Sequence, residues 1–551
     1  MGRILLGADF GTSQVNVVAL DVKTGQTIGF SSSPYKSGVI EKTLPDGTKL
    51  PRGFALQDPS DWLEGLFEAT KKLIEETRIP EKEIISIGVS FTSCTVLPVD
   101  VFGTPLCMIG DLSKNPHAWP KLWRHTTAQP QANLLTTIAQ ERGEPFLDFY
   151  GGKMGAEWLW PKLLELVQEA PELVPSIEYF IEAGDWIVWQ LTGHQVRNQC
   201  AAGYKACWVE GVGYPGHDYF ASISQELADL SDKSRGIEVL PPGRPAGKLI
   251  KDMAGKMGLR TGIPVASAVI DAQSAVAGAG VFEPNIMTIV MGSSNCHLVM
   301  SKQERLFVGY AGVVKDGILD GYWGYEAGQP AMSDMLEWFV NTIAPISFYE
   351  RANEDETEFA TILDRYLSEV PAGSNGVLAL DWMGGNRSVL LDSSLSGVFA
   401  GLTLQTRAED MYKALAEASA FGTRKIIETF RAGGVEIKQV VATGALPITS
   451  PSLIQIYADV LGMPISVPDT NNATGRGAAI IGGLSVGMEK LGHKSRESYF
   501  KALLPQTLDW CKPHEANKKL YNEIYNDYLT LHDMFGGTQR VLARLKERGK
   551  V

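Results

Sequence analysis

The chain has 551 residues, 44% of them hydrophobic, which is more than one core usually organises, so two large domains are expected. Its 50 basic and 63 acidic residues leave a formal charge of −13, which argues against a surface built for nucleic acid or an anionic membrane. A bound phosphate would need local geometry or a metal to attract it. The six cysteines, Cys94, Cys107, Cys200, Cys207, Cys296 and Cys511, form no C-x-x-C pair and no regular spacing, which fits a reducing compartment and no disulfide framework. A strand begins within a few residues of the first methionine and no lipidation signal is visible, so a cytoplasmic location is expected.

In chain order, LLGADFGTSQVNVVALD (residues 5–21) predicts a β-hairpin: two apolar runs meet at Gly11, Thr12 and Ser13, with Asp9 just before the turn. A loop rich in Gly, Pro and Ser is expected to about residue 57. DPSDWLEGLFEATKKLIEETRIP then reads as an amphipathic helix, with Trp62, Leu63, Leu66, Phe67, Leu73 and Ile74 at helical spacing. Asp58 or Ser60 can cap its start, and Pro80 lies beyond its end. IISIGVS and TVLPVD predict strands, so the first half alternates in the α/β manner.

Residues 116–200 read mainly as helices, including AEWLWPKLLELVQEA and DWIVWQLTG, the latter stopped by Gly193. After a Pro- and Gly-rich loop around 241–247 comes IPVASAVIDAQSAVAGAGVF, apolar enough to suggest a membrane span. Asp271 and Gln273 in its middle make a span costly, and its residues are small, so it predicts a buried strand followed by a small-residue helix. MTIVMGSSNCHLVM repeats the opening hairpin, with Gly292, Ser293 and Ser294 at the turn. QVVATGALPITSPSLIQIYADVLGMPISV supplies strand, glycine turn, helix and strand. The turns at Gly11 and Gly292 lie 281 positions apart. That spacing suggests duplicated halves facing a cleft, although any two hairpins with glycine turns look alike.

Several phosphate and metal signatures are missing. The chain contains no G-x-x-x-x-G-K-[ST], no G-x-G-x-x-G joining strand to helix, no H-E-x-x-H and no paired C-x-x-C. The eight histidines are scattered and read as surface or packing residues. The hairpin turn is the remaining candidate, because small residues let backbone N–H groups and the Thr12 and Ser13 hydroxyls approach a phosphate. Asp9 could hold a magnesium ion through water, or be an exposed aspartate at an ordinary turn. Asp271, between strand and helix, is either a plain N-cap or a base able to take a proton from an attacking hydroxyl. Glu326 in GYEAGQ and Lys205 in AGYKACW sit beside aromatics, as solvated tips do and as a polyol pocket also would require.

Taken in order, LLGADFGTS, IGVSFTSCTVLPVD, VIDAQSAVAGAG, MGSSNCHLV, SGVFAGLTL and TGALPITSPSLIQIYADVLGMPI resemble, over nearly the whole chain, the FGGY carbohydrate kinases. The resemblance implies an α/β actin-like ATPase (ribonuclease H-like) fold: two duplicated domains around a central cleft, at 1–280 for the sugar and catalytic base and 281–551 for the nucleotide. NPHAWPKLWRHTTAQPQA, YGGKMGAEWLWPK, DWIVWQLTG, AGYKACW, GYEAGQ and ALDWMGGNRSVLLD look most like the subgroup acting on L-ribulose. The resemblance then implies ATP-dependent formation of L-ribulose 5-phosphate in L-arabinose breakdown, with Asp271 as catalytic base. It places Ser93, Trp123, Lys205, Asp271 and Glu326 on the ketopentose. Gly11, Thr12, Ser13, Gly292, Ser293, Ser294, Gly444 and Ala445 would hold ATP, and Asp9 would help place Mg2+. A homodimer is the expected assembly, with no nucleic acid or membrane partner.

Three departures from the family pattern bear on these assignments. Ser293 stands where many members have threonine, and Ala445 where a second glycine is usual, followed by LPITSP in place of the commoner Ser-x-x-Trp continuation. The acidic region from Ala344 to Glu369 does not align and reads as a surface element. The alternatives are another FGGY activity, on D-ribulose, xylulose or ribitol, and an ATP-binding sugar sensor without catalysis. The presence of Asp9, Thr12 and Asp271 speaks against the sensor.

Overall fold

The structure is a computed structural model that describes residues 2–470, 472–537 and 540–548. The opening hairpin forms as expected: β1 (Ile4–Phe10) is buried throughout and pairs antiparallel with β2 (Gln14–Asp21), from Ile4 opposite Asp21 to Phe10 opposite Val15. The predicted loop that follows contains a third strand, β3 (Thr27–Pro34), antiparallel to β2. It lies at the sheet edge and its TIGFSSSP sequence is half exposed, so the apolar alternation that marks a strand is absent. The predicted helix is α1 (Pro59–Thr77); the Asp58 carboxylate caps it by accepting the Ser60 N–H at 2.8 Å.

Next come β4 (Ile84–Phe91), parallel to β1, and β5 (Val96–Val99). The helical stretch that follows includes α2 (Gln129–Arg142) and α3 (Leu159–Glu169). β6 (Tyr179–Glu182) interrupts it by pairing with β5, before α4 (Ala183–Thr192), closed by Gly193 in the left-handed region, and α5 (Gln199–Lys205). The loop expected at 241–247 runs into β7 (Pro245–Lys248), an edge strand beside β8 (Pro264–Ala266). The predicted buried strand is split into β8 and β9 (Val269–Ile270), both parallel to β4, followed by the small-residue helix α6 (Asp271–Gly278).

The chain divides into two compact units. The first holds residues 1–282, 312–324 and 472–505, and the second holds 283–311, 325–471 and 506–551. In the second unit, β10 (Ile286–Met291) and β11 (Asn295–Ser301) form the second predicted hairpin. Its sheet continues through β12 (Trp323–Gln329), β13 (Gln439–Gly444), β14 (Ile465–Pro468) and β15 (Thr507–Cys511), in the order β12-β11-β10-β13-β14-β15. β10 is parallel to β13 as β1 is to β4, so each unit is built on a hairpin whose first strand has a parallel neighbour. Internal duplication thus extends beyond the turns.

Among the second unit's helices are α7 (Ser333–Thr342), α8 (Ile346–Glu354), α9 (Phe359–Glu369), α10 (Ala408–Ala432) and α11 (Pro451–Leu461). The acidic region is therefore two helices, packed through Phe348 and Tyr366 with ring centroids 4.4 Å apart. It also does structural work beyond the surface: Asp364 accepts the Ser452 N–H at 3.0 Å and the Ser452 hydroxyl at 2.8 Å, capping α11.

The return segment supplies α12 (Ala473–Gly483), which lies on the first unit's sheet and on α6. Glycines make that approach possible. Gly7 and Gly88 are register partners on β1 and β4, and a Cβ there would stand 1.9 Å from the Gly475 carbonyl oxygen and 1.8 Å from that of Ala478. At the contact with α6, a Cβ on Gly278 would stand 1.8 Å from the Ala473 oxygen, and one on Gly477 1.8 Å from the Ser274 oxygen.

Candidate active site

Register brings the first unit's candidates together. On three adjacent parallel strands, Asp9, Ser90 and Val269 lie in line, then Phe10, Phe91 and Ile270. The next residues are Gly11, Thr92 and Asp271, so the hairpin turn, the Ser93 turn and Asp271 all leave the carboxyl ends of neighbouring strands. Open α/β sheets bind ligands at such ends.

Asp9 is buried rather than exposed at its turn. Its Oδ1 accepts the Ser90 hydroxyl at 2.8 Å; its Oδ2 accepts the Thr474 hydroxyl at 2.6 Å and the Asn16 amide at 3.4 Å. Burial raises its pKa, and the donors from Thr474, Ser90 and Asn16 oppose that rise by favouring the anion. Among the described residues no group of three or more acidic, histidine or cysteine side chains converges as a metal cage. A single carboxylate with its oxygens already sharing protein donors would suit a magnesium ion that keeps much of its water.

At the turn, the Gly11 N–H donates to the Gln14 carbonyl at 2.9 Å, and Gln57 donates to the Thr12 carbonyl at 2.7 Å. The Thr12 hydroxyl accepts the Trp123 indole N–H at 3.0 Å, which joins a residue expected at the phosphates to one expected at the sugar. Ser13 is held through its carbonyl, which accepts the Tyr35 N–H at 2.9 Å.

Ser93 precedes Cys94, whose φ of 59° lies in the left-handed region and turns the chain sharply between β4 and β5. The N-cap of α6 is Ile270, so Asp271 is the helix's first residue and not its plain cap. Its Oδ1 accepts the Ala272 N–H at 2.7 Å. Lys205 ends α5 and is 1% exposed, and its ammonium lies 6.0 Å from the Tyr204 ring centroid. The reading of a solvated tip fails there.

Glu182, which sequence reasoning passed over, is buried at the end of β6, opposite Val96. Among the described residues its Oε1 has no hydrogen-bond partner, and burial, with Asp185 nearby, pushes its pKa up to about 8 against the pull of Lys162 and Lys205.

In the second unit the same logic holds. Met291 pairs with Gly444, so Gly292 and Ala445 leave adjacent strand ends. Gly444 has a φ of 112°, and a Cβ there would stand 2.2 Å from the Met291 oxygen, so only glycine fits. The one-turn helix Leu446–Thr449 starts immediately after Ala445. The Gly292 N–H donates to the Ser294 carbonyl at 3.0 Å, while the Gly292 and Ser293 carbonyls accept the N–H groups of Ser333 (3.1 Å) and Met332 (2.6 Å). The turn is therefore braced by the start of α7.

Glu326 is 2% exposed and its Oε1 accepts a hydrogen bond from Arg387. Arg387 was not singled out from the sequence, although it sits in the GGNRSV stretch that carries the subgroup resemblance. Of the eight histidines, His117, His125, His297 and His532 are buried; burial lowers the pKa of His117 to about 3 and of His125 to about 4, so both rings stand neutral beside the buried Lys121–Glu165 pair.

The N-terminal domain model of the FGGY family of carbohydrate kinases matches residues 4–278, and the C-terminal domain model matches 287–486. The ribulokinase of Bacillus licheniformis is 42% identical over 531 residues, 96% of each chain. That of Halalkalibacterium halodurans is 40% identical over 546 residues, 99% of this chain and 97% of its own. A xylulose kinase structure from Rhodospirillum rubrum has a TM-score of 0.76 at 20% identity, covering 97% of this chain and 99% of its own, a likeness of fold. The Plasmodium falciparum glycerol kinase structure with ADP shares the fold at a TM-score of 0.73 and 15% identity, covering 96% and 98%. The chain belongs to the FGGY family of carbohydrate kinases. It is an ATP-using sugar kinase, with a small-molecule sugar as the acceptor. No helix among the described residues is long and apolar enough to cross a membrane, and the small-residue segment at 263–282 is divided among β8, β9 and the short α6.

Proposed function

We propose that this kinase converts L-ribulose to L-ribulose 5-phosphate in L-arabinose breakdown, with Asp271 as general base. The observation that carries the reading is the alignment of Asp271 with the Ser93 turn and the Asp9 hairpin at three neighbouring strand ends. The substrate assignment is supported by relatives named ribulokinase that are 36% to 42% identical over nearly the whole chain.

In this reading Asp271 accepts the proton of the sugar's 5-hydroxyl as its oxygen bonds to the γ-phosphorus. The bond from that phosphorus to the β–γ bridging oxygen breaks, and ADP leaves. Thr12 and Ser13 offer N–H and hydroxyl donors to phosphate oxygens, and Gly11, whose own N–H is used by the Gln14 carbonyl, lets the turn approach them closely. Magnesium, placed by Asp9 through water, would offset the negative charge of those oxygens. Ser93, Trp123 and Lys205 line the ketose in the first unit, and the buried Lys205 ammonium suits a hydroxylated substrate. Glu326, already oriented by Arg387, is assigned to the same sugar. Gly292, Ser293, Ser294, Gly444 and Ala445 are assigned to the nucleotide.

The test is magnesium- and sugar-dependent ADP release with L-ribulose, D-ribulose, L- and D-xylulose, ribitol and glycerol, beside a sugar-free control. L-Ribulose should give the highest kcat/KM and the control little turnover. A higher kcat/KM for another polyol would reassign the substrate, and no sugar-stimulated turnover would reject the kinase mechanism.

A further inference from the structure

Helix α3 carries two charged side chains, Lys162 and Glu165, that are completely buried. Ions removed from water are tolerated only when their surroundings replace the hydration, and apolar residues of similar size pack such a helix at least as well. What these two hold is specific. The Lys162 ammonium donates to the Cys94 carbonyl at 2.7 Å, the Leu122 carbonyl at 2.8 Å and the Lys121 carbonyl at 3.4 Å. Among the described residues it meets no carboxylate in a salt bridge; its partners are the backbone of two separate segments. One follows Ser93 directly, and the other leads directly into Trp123.

Glu165, one turn along the same helix, accepts hydrogen bonds from the Lys121 ammonium, from His125 Nε2 at 2.9 Å and from the Thr127 hydroxyl. The segment 121–127 is thus fastened to α3 on both sides of Trp123. It is also fastened to β5, because Lys121 and Val96 exchange backbone hydrogen bonds at 2.8 and 3.1 Å. Trp123 projects from this frame to Thr12.

We propose that Lys162 is a positioning residue for the ketose, setting the separation between the Ser93 turn and the Trp123 segment, with Glu165 fixing the far end of the latter. The proposal rests on the reading that Ser93 and Trp123 line the sugar. A sub-ångström change in that separation alters the fit to every hydroxyl the two walls address.

The charge state of Lys162 gives a handle on it. Burial lowers its pKa to about 8; Glu182 and Glu157, where ionised, favour the cation and Lys121 opposes it. The Cys94 thiol is pushed up to about 12 and stays neutral through the useful range, whereas Glu182 titrates near Lys162. The cation is the competent form, so grip on the sugar is nearly complete at pH 7, half lost at about pH 8 and mostly lost by pH 9.

The test compares KM for L-ribulose and for ATP in wild type, Lys162→Met, Glu165→Gln, Glu182→Gln, Ser93→Ala and Trp123→Phe. Lys162→Met keeps an unbranched stem, one atom shorter, and removes all three donors. Its ketose KM should rise at least tenfold, with ATP KM within about twofold of wild type. In wild type ketose KM should rise roughly tenfold between pH 7 and 9, in Glu182→Gln the rise should begin at lower pH because an anion that favours the Lys162 cation is gone, and in Lys162→Met KM should be flat. If Lys162→Met does not fold, the wild-type and Glu182→Gln pH profiles still decide. A ketose KM unchanged in Lys162→Met, or level from pH 7 to 9 in wild type, overturns the proposal. The underlying site reading fails separately, if Ser93→Ala and Trp123→Phe leave ketose KM unchanged.

Discussion

Gly88→Ala is the most direct test of how the first unit is held together. The added methyl would stand 1.8 Å from the Ala478 carbonyl oxygen and 2.6 Å from its carbon, whereas carbon and oxygen in contact keep about 3.3 Å. The obstacle is helix backbone, so α12 must move by about 1.5 Å and no side chain can swing aside. Overpacking of this kind costs about 1–3 kcal/mol when side chains can adapt, and the upper end or beyond applies here. For a unit of roughly 300 residues, about 3 kcal/mol lowers the melting temperature by about 4 °C. Displacing α12 also carries Thr474 away from Asp9, so activity should fall in the residual folded protein. The assay is thermal unfolding by circular dichroism, with Gly255→Ala as control: Gly255 is helical, exposed and has no atom within 4 Å of its would-be Cβ. That control should be neutral or gain about 0.5–1 kcal/mol. A Gly88→Ala protein melting within 1 °C of wild type would refute the account of close helix–sheet approach.

Asp271→Asn should retain the circular dichroism spectrum and lower kcat by roughly 100- to 10,000-fold; near-normal turnover would remove Asp271 from proton transfer. Glu326→Ala should raise the KM for ketopentose far more than that for ATP, and an ATP-selective defect would place Glu326 elsewhere. Thr474→Val keeps the shape but loses the donor to Asp9, and should lower kcat/KM for ATP by about 10- to 100-fold, while Thr474→Ser stays close to wild type. Equal kinetics for the Val and Ser proteins would show that the hydroxyl has no part in holding Asp9.

Both hairpins and the α1 helix were legible because their apolar spacing is dictated by burial on one face or two. β3 was not, since an edge strand of threonine, glycine and serines need not be apolar. β7 hid in a Pro- and Gly-rich stretch for the same reason. The identity of the candidate residues was legible, and their supports were not: Asp9 and Thr474 are 465 positions apart, Glu326 and Arg387 are 61. Local pattern carries no information about such pairs. Lys162 and Glu165 sit in LWPKLLELVQE, where a polar residue every three positions reads as a helix's wet face. Only their complete burial reveals that the face is turned inward, toward the segments they hold.

The return of residues 472–505 to the first unit gives these long separations a common cause. Asp9 lies on a strand whose glycine neighbours must be covered by helix backbone, and the helix that covers them is the one bearing Thr474. Close packing and the third donor to the carboxylate are therefore a single structural requirement. The glycines at positions 7 and 88 set the depth at which α12 lies, and that depth sets the 2.6 Å hydrogen bond. A buried carboxylate whose pKa burial raises stays available to a cation only if such donors favour its anion. The stability of the first unit and the electrostatic state of Asp9 thus depend on the same helix, which is why a methyl group on the sheet at Gly88 should disturb both.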